Sequence, residues 1–307
     1  RPVNTITYTQ MCNPRGGIEC DLTVTRTDED VFYIVTGTGF AVHDLDWIKQ
    51  NLPKGCAVTI ADVTSARAVI NVAGPKSRQL LQRVVEQEVG NERFPFGRCQ
   101  ELTVGYAPVL ALRISYVGEL GYELHVPTEY AAYVYETLWA AGEALGLVNA
   151  GYRAIESLRL EKGYRYWSKD ITPDHHPYEA GLGFAVKLGK GDFLGRAALL
   201  EIKKQGNKRK LCCFTLQAAK AQLYGGEAIY YGDDIVGRVT SGGYGYTVAR
   251  CIAYGYVCGA GLRAVEGIDQ GQASSTLEFG VEVLGKRIEA DYHPKILYDP
   301  NNSRILC

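Results

Sequence analysis

The sequence predicts a mixed α+β fold followed by an all-β domain of barrel or sandwich type, on three observations. The first hundred residues alternate β-branched, strand-like runs with short turn signals. Two helical stretches lie between residues 130 and 163. From about Lys208 the chain reads as short strands only, separated by glycine-rich turns.

In order, TITYTQM is a strand, Pro14-Arg15-Gly16-Gly17 a turn, and ECDLTVTRT and VFYIVTG two further strands. Val42, Leu45, Ile48 and Leu52 keep a helical period that Pro53 closes. AVTIADV and ARAVINVAG read as strands, and Pro75 opens a helix over KSRQLLQRVVEQEV, where its missing N–H costs nothing. Residues Val109 to Val126 divide into two strands around Gly118-Glu119-Leu120-Gly121, a hairpin whose glycines permit positive φ. Tyr130 to Leu145 is a helix with Val134, Leu138, Ala141 and Leu145 on one stripe, ended by Gly146. Ala150 to Gly163 is a shorter, more polar helix, and Leu194 to Gln205 is a helical connector. KLCCFTL, EAIYYG, DIVGRVTSG, AYGYV, GVEVLG and KRIEADYH are the strands of the second domain.

Composition narrows the function. With 307 residues, 46% apolar and 22% charged, the chain has the make-up of a globular protein of about two domains. Lys and Arg number 33 against 34 Asp and Glu, a net charge of −1 that offers no general attraction to nucleic acid or an anionic membrane. No apolar run approaches the roughly 20 residues that span a bilayer. The nine cysteines contain no C-x-x-C, and their odd number suggests free thiols in a reducing compartment. The only methionine is Met11 and a strand begins within a few residues of Arg1, so the chain reads as one whose beginning is missing.

Several familiar signatures fail. Gly37-Thr38-Gly39 follows a strand, but Val42 stands where a dinucleotide fingerprint needs glycine. Gly189-Lys190-Gly191 lacks the rest of a phosphate loop. His175-His176 point apart in an extended segment with no partner ligand at a known spacing, which favours a solvated loop. Cys212-Cys213 face opposite ways on a strand and suit packing.

Three segments place polar groups where a sheet protein gains little from them. Asp21 stands early in a strand after a glycine pair, and Asp is depleted in strands. Tyr116 precedes and Glu123 follows the predicted hairpin turn, so the two can converge on one site; an exposed hairpin with solvated acids is the alternative. Arg153, Glu156 and Arg159 have i, i+3 spacings that make surface ion pairs as readily as a ligand clamp.

Read together, Tyr8-Thr9, Asn13-Pro14-Arg15-Gly16-Gly17-Ile18-Glu19-Cys20-Asp21-Leu22, Val72-Ala73-Gly74-Pro75, Ser115 to Leu124, Gly151 to Gly163 and Asp192-Phe193-Leu194-Gly195-Arg196 resemble the folate-binding aminomethyltransferase family of the glycine-cleavage T protein. Cys20-Asp21, the Gly-Tyr-Arg-Ala-Ile-Glu helix, Lys162 to Trp167 and Tyr298-Asp299-Pro300-Asn301-Asn302 are more similar to the C-terminal half of the sarcosine and dimethylglycine dehydrogenase family, nearest to the sarcosine enzymes. The resemblance implies a T-protein-like folate-binding domain over 1–205, lacking its N-terminal part, followed by an all-β barrel domain over 206–307.

The resemblance also implies roles. Asp21 matches the catalytic carboxylate beside the reactive nitrogens of tetrahydrofolate, where it can orient an amine and accept its proton. Glu123 matches the pterin-binding acid, an acceptor able to take two parallel N–H bonds. Tyr8 and Tyr116 match pocket-lining aromatics. Arg153, and more weakly Arg159, match arginines suited to the cofactor's glutamate tail. Where T proteins carry Asn, this chain has Thr36-Gly37.

The implied activity is capture of the one-carbon unit from oxidised sarcosine as 5,10-methylenetetrahydrofolate. FAD is expected only in a missing N-terminal flavin domain, itself the expected partner. No metal, nucleic acid or membrane is expected, and the location is the mitochondrial matrix if the source is eukaryotic, otherwise the cytoplasm. A free-standing aminomethyltransferase and a non-catalytic regulatory subunit of the same fold are the alternatives.

Overall fold

The computed structural model describes residues 1–218, 220–272 and 278–307. They form two compact units, one of residues 1–8, 22–151 and 301–307, the other of residues 9–21 and 152–300. The boundary expected at 205/206 falls just before the first barrel strand, whereas the compact unit that holds the barrel also takes in residues 9–21 and 152–205.

Strands β1 (Thr5–Cys12), β2 (Ile18–Arg26) and β3 (Phe32–Val35) make a three-stranded sheet in that order. Helix α1 (Ala41–Gln50) matches the Val42 periodicity. Residues 57–63, expected as a strand, are not one. Val58 is 58% exposed, and β-propensity without a partner ladder does not hold a strand.

The first unit is built on a four-stranded antiparallel sheet in the order β4-β7-β6-β5, made of β4 (Arg67–Ala73), β5 (Cys99–Val104), β6 (Ala107–Leu112) and β7 (Gly121–Pro127). β5 was not foreseen. Tyr122, Leu124 and Val126 alternate into the core, where they pack with Leu80 and Leu81 of α2 (Ser77–Gln82) and with Val134 and Leu138 of α3 (Ala131–Gly142). Glu123 and His125 therefore face the other side of β7. α2 is less than half the expected helix because the chain turns after Arg83: the Gln82 amide donates to the carbonyls of Val85 and Gln87, and Val85 bridges to Val104. The β6–β7 connection is also longer than the predicted four-residue turn. Arg113 is fully buried and donates to the Phe94 carbonyl and Asn91. β6 ends at Leu112, which leaves residues 113–120 as the loop.

In the second unit, α4 (Tyr152–Lys162) and α5 (Arg196–Gln205) precede a closed barrel. Its strands are β8 (Arg209–Leu216), β9 (Ala228–Tyr231), β10 (Asp234–Gly245), β11 (Arg250–Cys258), β12 (Phe279–Val283) and β13 (Lys286–His293), ordered β10-β11-β8-β13-β12-β9. β8 is buried on both faces. Cys212, Phe214 and Leu216 join one cluster with Ile229, Val257 and Val281, while Leu211 and Cys213 join another with Leu160 of α4, Tyr254 and Tyr256. The expectation of strands alone is corrected by α6 (Gly259–Asp269), whose Leu262 and Val265 pack into the first of these clusters. Glycines at 259, 261 and 267 conceal its helical period. A last turn of helix, α7 (Ser303–Leu306), belongs to the first unit.

Candidate functional site

The loop before β2 is shaped by close backbone packing. Asn13 is buried, and its Oδ1 accepts from the N–H groups of Arg15 and Gly17, both at 3.0 Å. A Cβ on Gly17 would stand 1.9 Å from the carbonyl oxygen of Pro173, so only glycine fits. Gly195, at φ +84°, also packs against the loop: its Cβ would meet the Asn13 carbonyl oxygen at 2.5 Å. The loop delivers the chain into β2, where Ile18 and Cys20 are fully buried and Glu19 and Asp21 alternate to the half-exposed face. Asp21 accepts a hydrogen bond from Gln10 of β1 at 2.8 Å, and Glu19 accepts one from Asn13 at 3.2 Å. Gln10 was not singled out in the sequence, because a polar residue in a half-exposed strand carries no distinguishing pattern.

On the sheet of the first unit, Glu123 pairs with Asn71 of β4 on one side and Leu112 of β6 on the other. Its side chain is 19% exposed and its Oε2 lies 3.6 Å from Nε2 of His125, which is almost completely buried. On the other edge of that imidazole, the Tyr33 hydroxyl of β3 lies 2.9 Å from Nδ1. Burial raises the Tyr33 pKa, with Arg67 acting in the opposite direction and Glu123 reinforcing the rise. Neither Tyr33 nor His125 was foreseen. The available signal was strand parity, which puts residues 123 and 125 on one face.

Tyr8 on β1 and Tyr116 in the β6–β7 loop are each 38% exposed, so both rings keep an accessible face. The expectation that Tyr116 sits on a strand is corrected by the longer loop. Thr36, at the departure from the T-protein pattern, donates its hydroxyl to buried Asp44 of α1.

α4 divides its arginines. Arg153 is exposed in the first turn. Arg159 is fully buried, donates to Asp170 Oδ2 at 2.6 Å and to the Tyr164 carbonyl at 3.0 Å, and pairs with Glu156. The weaker expectation that it reaches the cofactor's glutamate tail thus falls on a guanidinium whose bonds to Asp170, Tyr164 and Glu156 lie within its own unit. Nor is this end of α4 the surface helix that its polarity suggests. Glu161 is buried and accepts from the Thr247 and Val248 N–H groups, and buried Lys162 bonds Asp299.

His175 and His176 do not lie in a solvated loop. His175 stacks on Tyr256 with centroids 4.2 Å apart, and His176 pairs with Glu179 at 3.4 Å. Burial lowers both pKa values.

Comparison with known proteins identifies the fold. Residues 1–190 match the family described as the GCVT N-terminal domain, and residues 209–299 match the glycine cleavage T-protein C-terminal barrel domain. The chain is 37% identical to mitochondrial sarcosine dehydrogenase of Homo sapiens across 99% of this chain and 34% of that protein. It is 37% identical to mitochondrial dimethylglycine dehydrogenase of Rattus norvegicus across 96% of this chain and 34% of that protein. The chain thus spans about a third of the length of these relatives. The glycine cleavage system aminomethyltransferase T of Bartonella henselae superimposes with a TM-score of 0.81 and 27% identity, over 97% of this chain and 77% of that one. Among the described residues no helix is long and apolar enough to cross a membrane. With both domains matched in order along nearly the whole chain, the protein belongs to the glycine-cleavage T-protein family.

Proposed function

We propose that this chain is the tetrahydrofolate-binding part of a sarcosine dehydrogenase-like enzyme, in which oxidised sarcosine gives up its one-carbon unit as 5,10-methylenetetrahydrofolate and leaves glycine. The observation that carries the reading is Glu123: a mostly buried carboxylate, 19% exposed, whose Oε2 lies 3.6 Å from the imidazole of His125, a single donor for a group with about four acceptor sites. Such a group fits the paired N–H edge of a pterin. Tetrahydrofolate, when bound, supplies two amine nitrogens between which a one-carbon unit is held.

The residues act as follows. Glu123 would accept the pterin 2-amino and ring N–H groups and so orient the ring. Asp21, held by Gln10, would orient the reacting amine of bound tetrahydrofolate and is the carboxylate suited to take its proton. Tyr8 and Tyr116 offer ring faces to the heterocycle. Arg153, exposed and cationic, is suited to the glutamate tail. Oxidation of the N-methyl group belongs to a flavin domain with FAD, a partner beyond these residues, and the matrix of mitochondria is the proposed location for a eukaryotic source. A free-standing aminomethyltransferase would share this folate site and differ in its one-carbon donor. A non-catalytic regulatory subunit would have no need of both carboxylates.

The test is titration of tetrahydrofolate into the native protein, Glu123→Gln and Asp21→Asn. Glu123→Gln is expected to weaken binding by about 1–3 kcal/mol, the scale of a lost charged hydrogen bond. Asp21→Asn is expected to bind comparably, and to lose one-carbon capture when carried in a chain that includes the flavin domain. Absence of binding by the folded native protein sinks the reading.

A further inference from the structure

If Glu123 is the pterin acid, something must aim its carboxylate while leaving acceptor sites open. Within this unit His125 is placed to do so. It lies two residues along β7 on the same face, only 1% of its side chain reaches solvent, and its Nε2 is buried with no hydrogen-bond partner among the described residues. Nε2 lies 3.6 Å from Glu123 Oε2, slightly longer than a formed hydrogen bond. Contacts of this kind commonly tighten only when a ligand engages the site.

The protonation pattern follows from the other ring nitrogen. Tyr33 reaches Nδ1 at 2.9 Å, with its ring edge-on to the imidazole at 5.2 Å. A neutral imidazole has one donor and one acceptor nitrogen. If Nδ1 carried the proton, the Nε2 lone pair would face a carboxylate oxygen, acceptor against acceptor. With the Tyr33 hydroxyl donating to Nδ1, the proton sits on Nε2 and points at Glu123. The burial that raises the Tyr33 pKa keeps that hydroxyl protonated and able to donate.

Resting on the folate reading above, we propose that His125 is a positioning residue, locked by Tyr33 in the Nε2–H form so that it donates to Glu123 and sets the carboxylate for the pterin's N–H edge. A carboxylate has about four lone-pair sites, so Oε2 can accept from His125 while both oxygens still face the ligand. Tyr33 thereby links β3 to ligand recognition on β7 without touching the ligand.

The experiment is a double-mutant cycle read by calorimetric titration with tetrahydrofolate under anaerobic conditions, and with a folate analogue whose 2-amino group is replaced by methyl. His125→Leu is expected to weaken tetrahydrofolate binding by about tenfold. His125→Gln, which places an amide N–H near the same point, should restore most of it. In a Glu123→Gln background His125→Leu should cost nothing further, and it should cost little for the 2-methyl analogue. Nitrogen-15 spectra of labelled histidine should report the Nε2–H tautomer in the native protein, and Tyr33→Phe should erode both tautomer and affinity even if His125→Leu fails to fold. An Nδ1–H tautomer, or equal losses from His125→Leu in the native and Glu123→Gln backgrounds, would overturn the inference alone. No binding of tetrahydrofolate by the native protein overturns the folate reading and the inference with it.

Discussion

Arg159 of α4 and Asp170 form an ion pair buried in the barrel-bearing unit, with Nη1 2.6 Å from Oδ2. The carboxylate also accepts from the hydroxyls of Thr240 and Ser241 on β10 and from the Tyr166 N–H. A buried ion pair recovers its desolvation cost only when its remaining hydrogen-bonding sites are filled, and Asp170 meets that condition.

Removal of one partner should therefore be severe. Arg159→Met is expected to destabilise the protein by about 3–5 kcal/mol, because it strands a buried carboxylate. Urea unfolding measures this, and a loss below about 1 kcal/mol would place the pair among ordinary surface bridges.

Gly17→Ala tests the loop that leads to Asp21. Its Cβ would meet the Pro173 carbonyl oxygen at 1.9 Å, so the backbone has to move. A destabilisation of about 1–3 kcal/mol is expected, the range for overpacking. A melting temperature equal to the native protein's would show that the loop yields freely.

Acid should weaken the fold through its histidines. Burial lowers the pKa of His175, His176 and His293 below the ordinary 6.5. The folded state thus disfavours imidazolium, while the unfolded chain takes up protons as pH drops below about 6.5. This stability is present above that pH and is lost as the pH falls toward the folded-state values. Melting temperatures at pH 7.5 and 5.5 should differ accordingly, and His293→Gln should flatten the slope; a rise on acidification contradicts the account.

The thiols should divide by burial. Desolvation pushes Cys12 up to about 11 and Cys212 and Cys213 up to about 12, whereas Cys56, Cys258 and Cys307 are exposed. Brief maleimide labelling of the native protein near neutral pH should modify the exposed cysteines first and the buried ones only on unfolding. Rapid labelling of Cys213 without unfolding would contradict the packing.

Much of this architecture was readable in the residues. The barrel strands were visible because alternating apolar runs between glycine turns leave few other readings, and β1 and β2 flank a turn only glycines can make. β5 was missed because CQELTV alternates too weakly to stand out, and α6 because its glycines mimic a turn. Within the candidate site, Asp21 and Glu123 were legible as polar residues out of place in strands, and their motif neighbours gave them roles. Their supports, Gln10 and His125, were not.

By itself the sequence determined most of the strands along the chain, the family motifs and the presence of two carboxylates at strand positions within them. Tertiary structure alone decided that Arg159 is an interior cation rather than a surface one, since i, i+3 spacing is identical whichever way the helix face is covered. It likewise decided that Tyr33 meets His125, a pairing across 92 residues that no local pattern encodes. Burial and long-range contact depend on which faces the packed elements turn to one another, and periodicity in a single chain specifies only that such faces exist.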